Sequence, residues 1–244
     1  RMELYGDTLE DFAAVKVKNS KAGSKNPLSR YKKCFSQEEV ASSAVVADPL
    51  RLMDICATSD GAAALIVCSM EYARRHGKAS PPRVVAISTT TPVFASEIVE
   101  MPDIATDSAA AEGIKHQSFR KNLPLKAYEE AGIGPEDIDF AEVYDLSTAL
   151  ELDWIEDLGL ASRGEAASLL RSGQTSIGGK IPVNASGGLA SFGEAVPAQA
   201  IAQVCELAIQ LRAHAGERQI EGARVGITAN QGLFGHGSSV IVTV

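Results

Sequence analysis

The sequence predicts an α/β fold in which strands and helices alternate along most of the chain. After Pro81 and Pro82, short β-branched apolar runs alternate with longer segments of helical periodicity. Polar and glycine-rich motifs follow three of the predicted strands, which is where open α/β sheets bind ligands. The 244 residues are enough for one large domain with a smaller appendage.

The first 59 residues predict a loop-rich segment without a core of its own. Helices are expected at residues 8–19 and 37–42, where Asp7 and Ser36 are suitable N-cap residues. An apolar run of strand length follows at residues 62–68 and leads into a helix at 70–76.

The remaining chain predicts five strands and three helices. The expected strands are 83–88, 138–143, 181–183, 223–229 and 238–244, and the helices are 109–131 with an interruption near Pro124, 148–158 and 193–213. Ile201, Val204, Ala208 and Leu211 give the last helix an apolar face.

Composition and charge limit the classes of function. A net charge of -8 argues against nucleic-acid binding, and no apolar run is long enough to cross a membrane. The four widely spaced cysteines favour a reducing, cytoplasmic compartment, and no metal site is expected. Residues 1–33 carry a charge of +4, which fits either a solvated loop or a surface for a phosphate-bearing or acidic partner. Because no initiator methionine precedes Arg1, we expect the natural polypeptide to extend further upstream.

The first motif places Tyr144 and Asp145 directly after a predicted strand. A phenol beside a carboxylate can transfer a proton or orient a substrate. A tyrosine at a strand end can equally be structural, and the sequence leaves both interpretations open.

The second motif is a glycine-rich loop that enters the long predicted helix. Successive glycines let a ligand approach the backbone, and the helix N-terminus would stabilise negative charge, including that of Glu194. The candidate substrate-binding residues of this loop are Asn184, Ser186, Gly187, Gly188 and Gly193. An ordinary helix cap with glycines for packing explains the same pattern.

The third motif is the turn between the last two predicted strands, where Gly235 is a candidate binding residue and His236 a candidate acid or base. Turn chemistry alone also accounts for a histidine among glycines.

In this order and spacing, the three motifs resemble those of sterol-carrier-type thiolases. The run Asn-Ala-Ser-Gly-Gly from Asn184 resembles the asparagine-x-x-glycine-glycine loop of that family, and Asn26-Pro27 and Ser59-Asp60-Gly61 resemble its loop-domain signatures. The similarity covers nearly the whole chain. It implies a thiolase-like fold, a five-stranded mixed sheet with helices on both faces, plus part of a loop domain.

The resemblance also implies a domain organisation and a ligand. Residues 1–59 would be part of the loop domain, 60–81 the last strand and helix of the N-terminal thiolase half, and 82–244 the C-terminal domain. The substrate would be an acyl-CoA thioester, with coenzyme A as part of the substrate and no covalently bound cofactor. Homodimers are typical of the family.

The departures from the family pattern concern the catalytic positions. Tyr144 stands where histidine is usual, Glu194 replaces the histidine of glycine-histidine-proline, and Gln231 lies in the loop that usually carries a second catalytic cysteine. The nucleophilic cysteine of the family normally lies upstream, and none of the four cysteines here has that role. Ordinary thiolysis is therefore disfavoured.

Three functions follow from this resemblance. The favoured one is retro-aldol cleavage of lipid or steroid acyl-CoA, in which Tyr144 and Glu194 exchange protons, Asp145 orients them, and backbone N–H groups near Gly193 and Gly235 stabilise the enolate. By analogy, such aldolases imply a small zinc-bearing OB-fold partner protein. The alternatives are an acyltransferase that uses an upstream cysteine, with Glu194 or His236 as base, and a non-catalytic lipid or acyl-CoA transfer protein.

Overall fold

The computed structural model describes residues 1–77, 81–91, 119–232 and 236–244. Its main sheet has four strands in these residues, in the order β3-β6-β5-β4: β3 Arg83–Thr90, β4 Phe140–Val143, β5 Val225–Gln231 and β6 Gly237–Thr243. Strands β4 and β5 are parallel, whereas β6 is antiparallel to both of its neighbours. A small antiparallel pair, β1 Val45–Ala47 and β2 Leu50–Arg51, lies in the N-terminal segment.

The predicted strand at 181–183 lies beside the outer edge of β4 as a single parallel bridge. Ala141 N donates to Pro182 O over 3.0 Å, and Asn184 N donates to Ala141 O over 2.9 Å. This bridge occupies the fifth position of the sheet. The predicted α/β fold with a mixed sheet is confirmed.

The helices of the described residues largely follow the predicted pattern. They are α1 Met2–Tyr5, α2 Leu9–Ser24, α3 Gln37–Ala41, α4 Met70–His76, α5 Phe119–Ala131, α6 Thr148–Asp157, α7 Ala166–Arg171, α8 Gly188–Ser191 and α9 Ala198–Leu211. Thr8, not Asp7, is the N-cap of α2, because its side chain and that of Asp11 form a capping box. Helix α5 continues through Pro124 without ending there, and residues 109–118 of the predicted helix lie outside the described part.

Helix α2 ties the N-terminal segment to the body of the protein. Phe12 and Val15 are buried in the same apolar cluster as Trp154 of α6 and Val143 of β4. The N-terminal segment therefore shares the core of the main sheet, in keeping with the expectation that it has none of its own.

The long helix begins at Ala198, so the predicted start at Gly193 is wrong. Gly193 has a φ of 120°, which a right-handed helix cannot contain, and Pro197 is the N-cap. The short helix α8 ends before this point. Glu194 thus lies in a loop before the N-cap of the long helix and not in its first turn.

The apolar run 62–68 does not form the predicted strand. No described strand pairs with it, and the side chains of Leu65 and Val67 are exposed, while Ile66 is 95% exposed. An extended segment becomes a strand only when a neighbour accepts and donates its backbone hydrogen bonds, and none of the described strands does so here.

The close approach of the loop 184–194 to α2 predicts a strict requirement for glycine at position 187. A methyl side chain there would lie 2.7 Å from Cα of Gly23, and Gly187 has a φ of 107°. We expect Gly187→Ala to lower the free energy of unfolding in urea by about 2 to 4 kcal/mol, from backbone strain and overpacking together.

Gly173→Ala is the matched control, because Gly173 has a φ of 77° but no atom within 4 Å of the added methyl group. Only the conformational cost of about 1 kcal/mol is expected there. Equal losses in the two variants would contradict the packing explanation.

Candidate functional site

Tyr144 and Glu194 meet where two of the predicted motifs converge. The Tyr144 hydroxyl donates a hydrogen bond of 2.7 Å to Oε1 of Glu194, and each residue is 8% exposed. Tyr144 follows β4 directly, and Glu194 lies in the loop between α8 and α9. Burial, followed by the contact with Glu194, raises the pKa of Tyr144 above its ordinary value of 10. The phenol therefore stays protonated at neutral pH and acts as a donor to the carboxylate.

Cys56 contacts the other oxygen of the same carboxylate. Its Sγ lies 2.6 Å from Oε2 of Glu194, and burial together with this contact raises the pKa of the thiol above its ordinary value of 9. The sequence interpretation missed Cys56, which it had treated as a small hydrophobic residue. The available signal was its position three residues before the Ser59-Asp60-Gly61 motif.

Asp145 makes no hydrogen bond to Tyr144 among the described residues and instead anchors the glycine-rich loop. Its buried carboxylate accepts hydrogen bonds from Asn19 Nδ2 at 3.0 Å, Leu189 N at 2.6 Å and Ala190 N at 3.3 Å. Burial, and then repulsion from Glu151, raises its pKa well above the ordinary value. Asp145 is thus placed to orient the loop that carries Glu194.

Asn184 links the first motif to the second through both ends of its side chain. Its Oδ1 accepts from Val143 N at 2.8 Å, and its Nδ2 donates to Oε2 of Glu151 at 2.7 Å. Its φ of 57° marks a left-handed turn that asparagine tolerates. These contacts give Asn184 a structural task, and its predicted role in substrate binding stays a prediction.

Ser186 binds a buried carboxylate at the base of the site. Its N and Oγ donate to Glu142 over 2.9 and 2.6 Å. Burial, and then repulsion from Glu206, raises the pKa of Glu142 to about 8. Glu142 is therefore largely protonated at neutral pH.

A cavity of about 670 Å³ lies beside these motifs, between α9 and the segments around residues 25–28 and 62–64. Ser186, Gly188 and Gly193 line it, whereas Gly187 packs against α2. Tyr144 and Glu194 are not among the lining residues, although their chain neighbours Val143 and Gly193 are. The pair is thus adjacent in the chain to residues that line the cavity.

The third motif is separate from this contact in the described residues. Gly235 lies outside the described part of the chain. His236 is exposed in the turn between β5 and β6, where its carbonyl accepts from Gly232 N at 2.7 Å. No hydrogen bond among the described residues joins the imidazole of His236 to Tyr144 or Glu194. Its predicted acid or base role remains a prediction.

Lys16 is a second buried residue that the sequence interpretation missed. Its Nζ donates to Ala190 O and lies 5.3 Å from the ring centres of Tyr31 and Phe35. Burial lowers the pKa of Lys16 to about 8, an effect that the nearby Asp145 partly opposes. A charge run on α2 gives no sign of which lysine turns inward, so only the packing identifies it.

A mixed sheet whose strand-end loops bring Tyr144 and Glu194 together beside a cavity defines a thiolase-like α/β protein. The chain belongs to the family described as thiolase C-terminal domain-like, whose model matches residues 95–244. The resemblance to sterol-carrier-type thiolases that the motifs predicted is confirmed.

Two relatives illustrate the range of proteins that this chain resembles. It is 37% identical to sterol carrier protein 2 of Rattus norvegicus over 244 residues, which is 100% of this chain and 42% of that protein. It is 37% identical to an acetyl-CoA acetyltransferase of Methanothermobacter thermautotrophicus over 242 residues, 98% of this chain and 59% of that protein. The chain therefore spans well under two thirds of the length of these relatives.

The fold is also similar to that of a solved structure described as the Ltp2-ChsH2(DUF35) aldolase. The TM-score is 0.82 at 23% sequence identity, covering 100% of this chain and 60% of the other. This likeness shows the fold. Among the described residues, no helix is long and apolar enough to cross a membrane.

The raised pKa of Glu142 predicts a pH-dependent stability. The folded protein keeps this proton up to about pH 8, whereas the unfolded chain releases it near the ordinary value of 4.5. The folded state thus binds more protons between these values, and its stability falls as the pH rises, by at most about 1.4 kcal/mol per pH unit.

Glu142→Gln removes this term, because the amide does not ionise and can still accept from Ser186 N. We expect the difference in unfolding free energy between the variant and the wild type to grow in favour of the variant from pH 5 to pH 8, measured by urea denaturation. Glu217→Gln is the matched control, because it makes the same change at an exposed position. A difference for Glu142→Gln that does not vary with pH would contradict the assignment.

Proposed function

We propose that this protein cleaves a carbon–carbon bond in a β-hydroxy acyl-CoA of lipid or steroid type by a retro-aldol reaction. The contact between the Tyr144 hydroxyl and Oε1 of Glu194 carries the proposal. A neutral phenol hydrogen-bonded to a carboxylate can move a proton without the imidazole that thiolysis uses. The reaction needs no nucleophilic cysteine.

The proton path begins at the β-hydroxyl group of the substrate. As this hydroxyl gives its proton to Oη of Tyr144, the phenol gives its own proton to Oε1 of Glu194. The bond between the α and β carbons then breaks and a ketone or aldehyde leaves. The electron pair of the broken bond remains on the thioester, which becomes the enolate. The proton held by Glu194 then returns through Tyr144 to the α-carbon, so the products are a carbonyl compound and a shortened acyl-CoA.

The enolate needs donors where its negative charge develops. Gly193 lines the cavity immediately before Glu194, and its backbone N–H is the first candidate donor in this proposal. The N–H groups around Gly235 are the second candidate from the sequence. Asp145 supports this arrangement by holding the loop between Gly188 and Glu194 through its backbone contacts.

The cavity suits an acyl chain that is linked to the charged coenzyme A. Leu28, Leu189 and Phe192 give it apolar walls, and Lys25 supplies positive charge, whereas the charge of Arg218 is paired with Glu206. Coenzyme A would be bound as part of the substrate, with no covalently attached cofactor. The free thiols of Cys34, Cys56, Cys68 and Cys205 fit action in the reducing cytoplasm.

Partner proteins are part of this proposal. The structural neighbour is described as a complex with a DUF35 protein, which favours a small zinc-bearing OB-fold partner for this chain as well. A homodimer is expected because it is typical of thiolase-like proteins.

An acyltransferase is the second candidate, and the similarity to an acetyl-CoA acetyltransferase favours it. This reaction needs a thiolate nucleophile. The raised pKa of Cys56 disfavours its thiolate, and the resemblance implies that the nucleophilic cysteine lies upstream. A non-catalytic lipid or acyl-CoA carrier is the third possibility, suggested by the sterol carrier relatives.

Direct assay of bond cleavage tests the proposal. The complete protein, with and without an OB-fold partner, is incubated with a β-hydroxy acyl-CoA, and release of ketone or aldehyde is measured. We expect Tyr144→Phe and Glu194→Gln each to lower turnover by about 100-fold or more, the usual contribution of a positioned acid or base.

Tyr72→Phe and Glu71→Gln serve as controls, because both residues are exposed on α4. Full activity in the two site variants would overturn the assignment of roles. Binding of the acyl-CoA without any release would instead favour the carrier function, and acyl transfer to a second thioester would favour the acyltransferase.

A further inference from the structure

We propose that Cys56 is a positioning residue whose thiol holds the Glu194 carboxylate in the orientation that faces Tyr144. The inference rests on the proposed proton transfer between Tyr144 and Glu194. Oε1 of Glu194 accepts from the phenol, and Oε2 lies 2.6 Å from Sγ of Cys56. One carboxylate is therefore held between two donors that come from different parts of the chain.

The backbone around Cys56 is built into both loops of the site. Cys56 N donates to Leu146 O at 2.9 Å, which joins it to the loop that carries Tyr144. Ala57 N donates to Leu189 O at 3.0 Å and so reaches the glycine-rich loop as well. Residues 56 and 57 thus connect the two motifs that supply the proton-transfer pair.

The same segment fixes the backbone of Glu194 on both sides. Glu194 N donates to Ala57 O at 2.8 Å, and Ser59 N donates to Glu194 O at 2.8 Å. A methyl side chain at Gly193 would lie 2.5 Å from Oγ of Ser59, so the two segments are packed without spare room. Cys56 and Glu194 therefore lie in a fixed relation, and their side-chain contact follows from this pairing.

The chemistry of the thiol suits a donor and not a nucleophile. Burial and the adjacent carboxylate both disfavour the thiolate, so the S–H bond remains intact at neutral pH. A carboxylate that kept only the contact with Tyr144 could rotate about its last bond and lose the alignment of Oε1. The thiol restricts this rotation, and its effect on the reaction acts through Glu194.

Replacement by serine and by alanine separates the hydrogen bond from packing. Cys56→Ala removes the donor, and we expect kcat for ketone release to fall by about 10-fold while KM changes by less than about twofold, as for loss of one hydrogen bond to a charged group. Cys56→Ser keeps a donor and should retain most of the activity. An unchanged kcat in Cys56→Ala, or equal losses in both variants, would overturn the proposal.

An infrared measurement of the S–H stretching band tests the contact without any assay of activity. In the protein with every other cysteine changed to serine, including Cys34, Cys68 and Cys205, the one remaining thiol is Cys56. We expect Glu194→Gln to move its band to higher frequency, because a neutral amide is a weaker acceptor than a carboxylate. Glu71→Gln should leave the band in place.

The two readouts distinguish failure of the inference from failure of the proposed function. A wild-type protein that releases no ketone, but whose S–H band responds to Glu194→Gln, would refute the retro-aldol reaction and support the contact. A band that ignores Glu194→Gln would refute the role of Cys56 even if cleavage occurs and depends on Tyr144.

Discussion

The buried carboxylate of Asp145 is the interaction on which the geometry of the site depends. It accepts from backbone N–H groups of α8, at Leu189 and Ala190, and so draws the glycine-rich loop onto the end of β4. The approach is possible because position 188 is glycine, where a methyl side chain would lie 2.4 Å from Oδ2 of Asp145. Lys16 adds a contact to the carbonyl of Ala190 from the opposite side. Because the contacts of Asp145 and Lys16 hold this loop in place, Glu194 comes within hydrogen-bond distance of Tyr144.

The electrostatics of the site differ from those of an imidazole-based thiolase. Glu142 and Asp145 are buried acids whose pKa values are raised, and Tyr144 and Cys56 are held as neutral donors. A site of this kind favours proton transfer between oxygen atoms over activation of a thiol. In our proposal this physical difference, and not the fold, favours bond cleavage over acyl transfer. The fold is shared with relatives described as carriers, acetyltransferases and aldolases, so it cannot choose among them.

Two apolar surfaces of the chain remain without a partner in the described residues. The run 62–68 exposes Ile66 and Val67, and Ile201 of α9 is also exposed, although its periodicity predicted a buried face. The predicted Leu211 is buried and Val204 packs against the same apolar cluster, but Gln203 and Glu206 of α9 are buried as well. Hydrophobic periodicity therefore identified the helix and part of its buried face, but it does not show which polar side chains a neighbour also covers.

The sequence by itself determined the alternation of strands and helices, the positions of the strand-end motifs and the family. The alternation and the motif positions depend on local patterns of two or four residues and on glycines whose backbone angles other residues rarely adopt, whereas the family follows from the resemblance of the motifs to those of thiolases. Tertiary structure alone decided that Glu194 lies in a loop before α9, that Asp145 binds the backbone of Leu189, and that His236 remains exposed. It also brought Cys56, 138 residues distant in the chain, onto the carboxylate of Glu194. Contacts of this kind depend on how separate segments pack, which no local pattern of residues records.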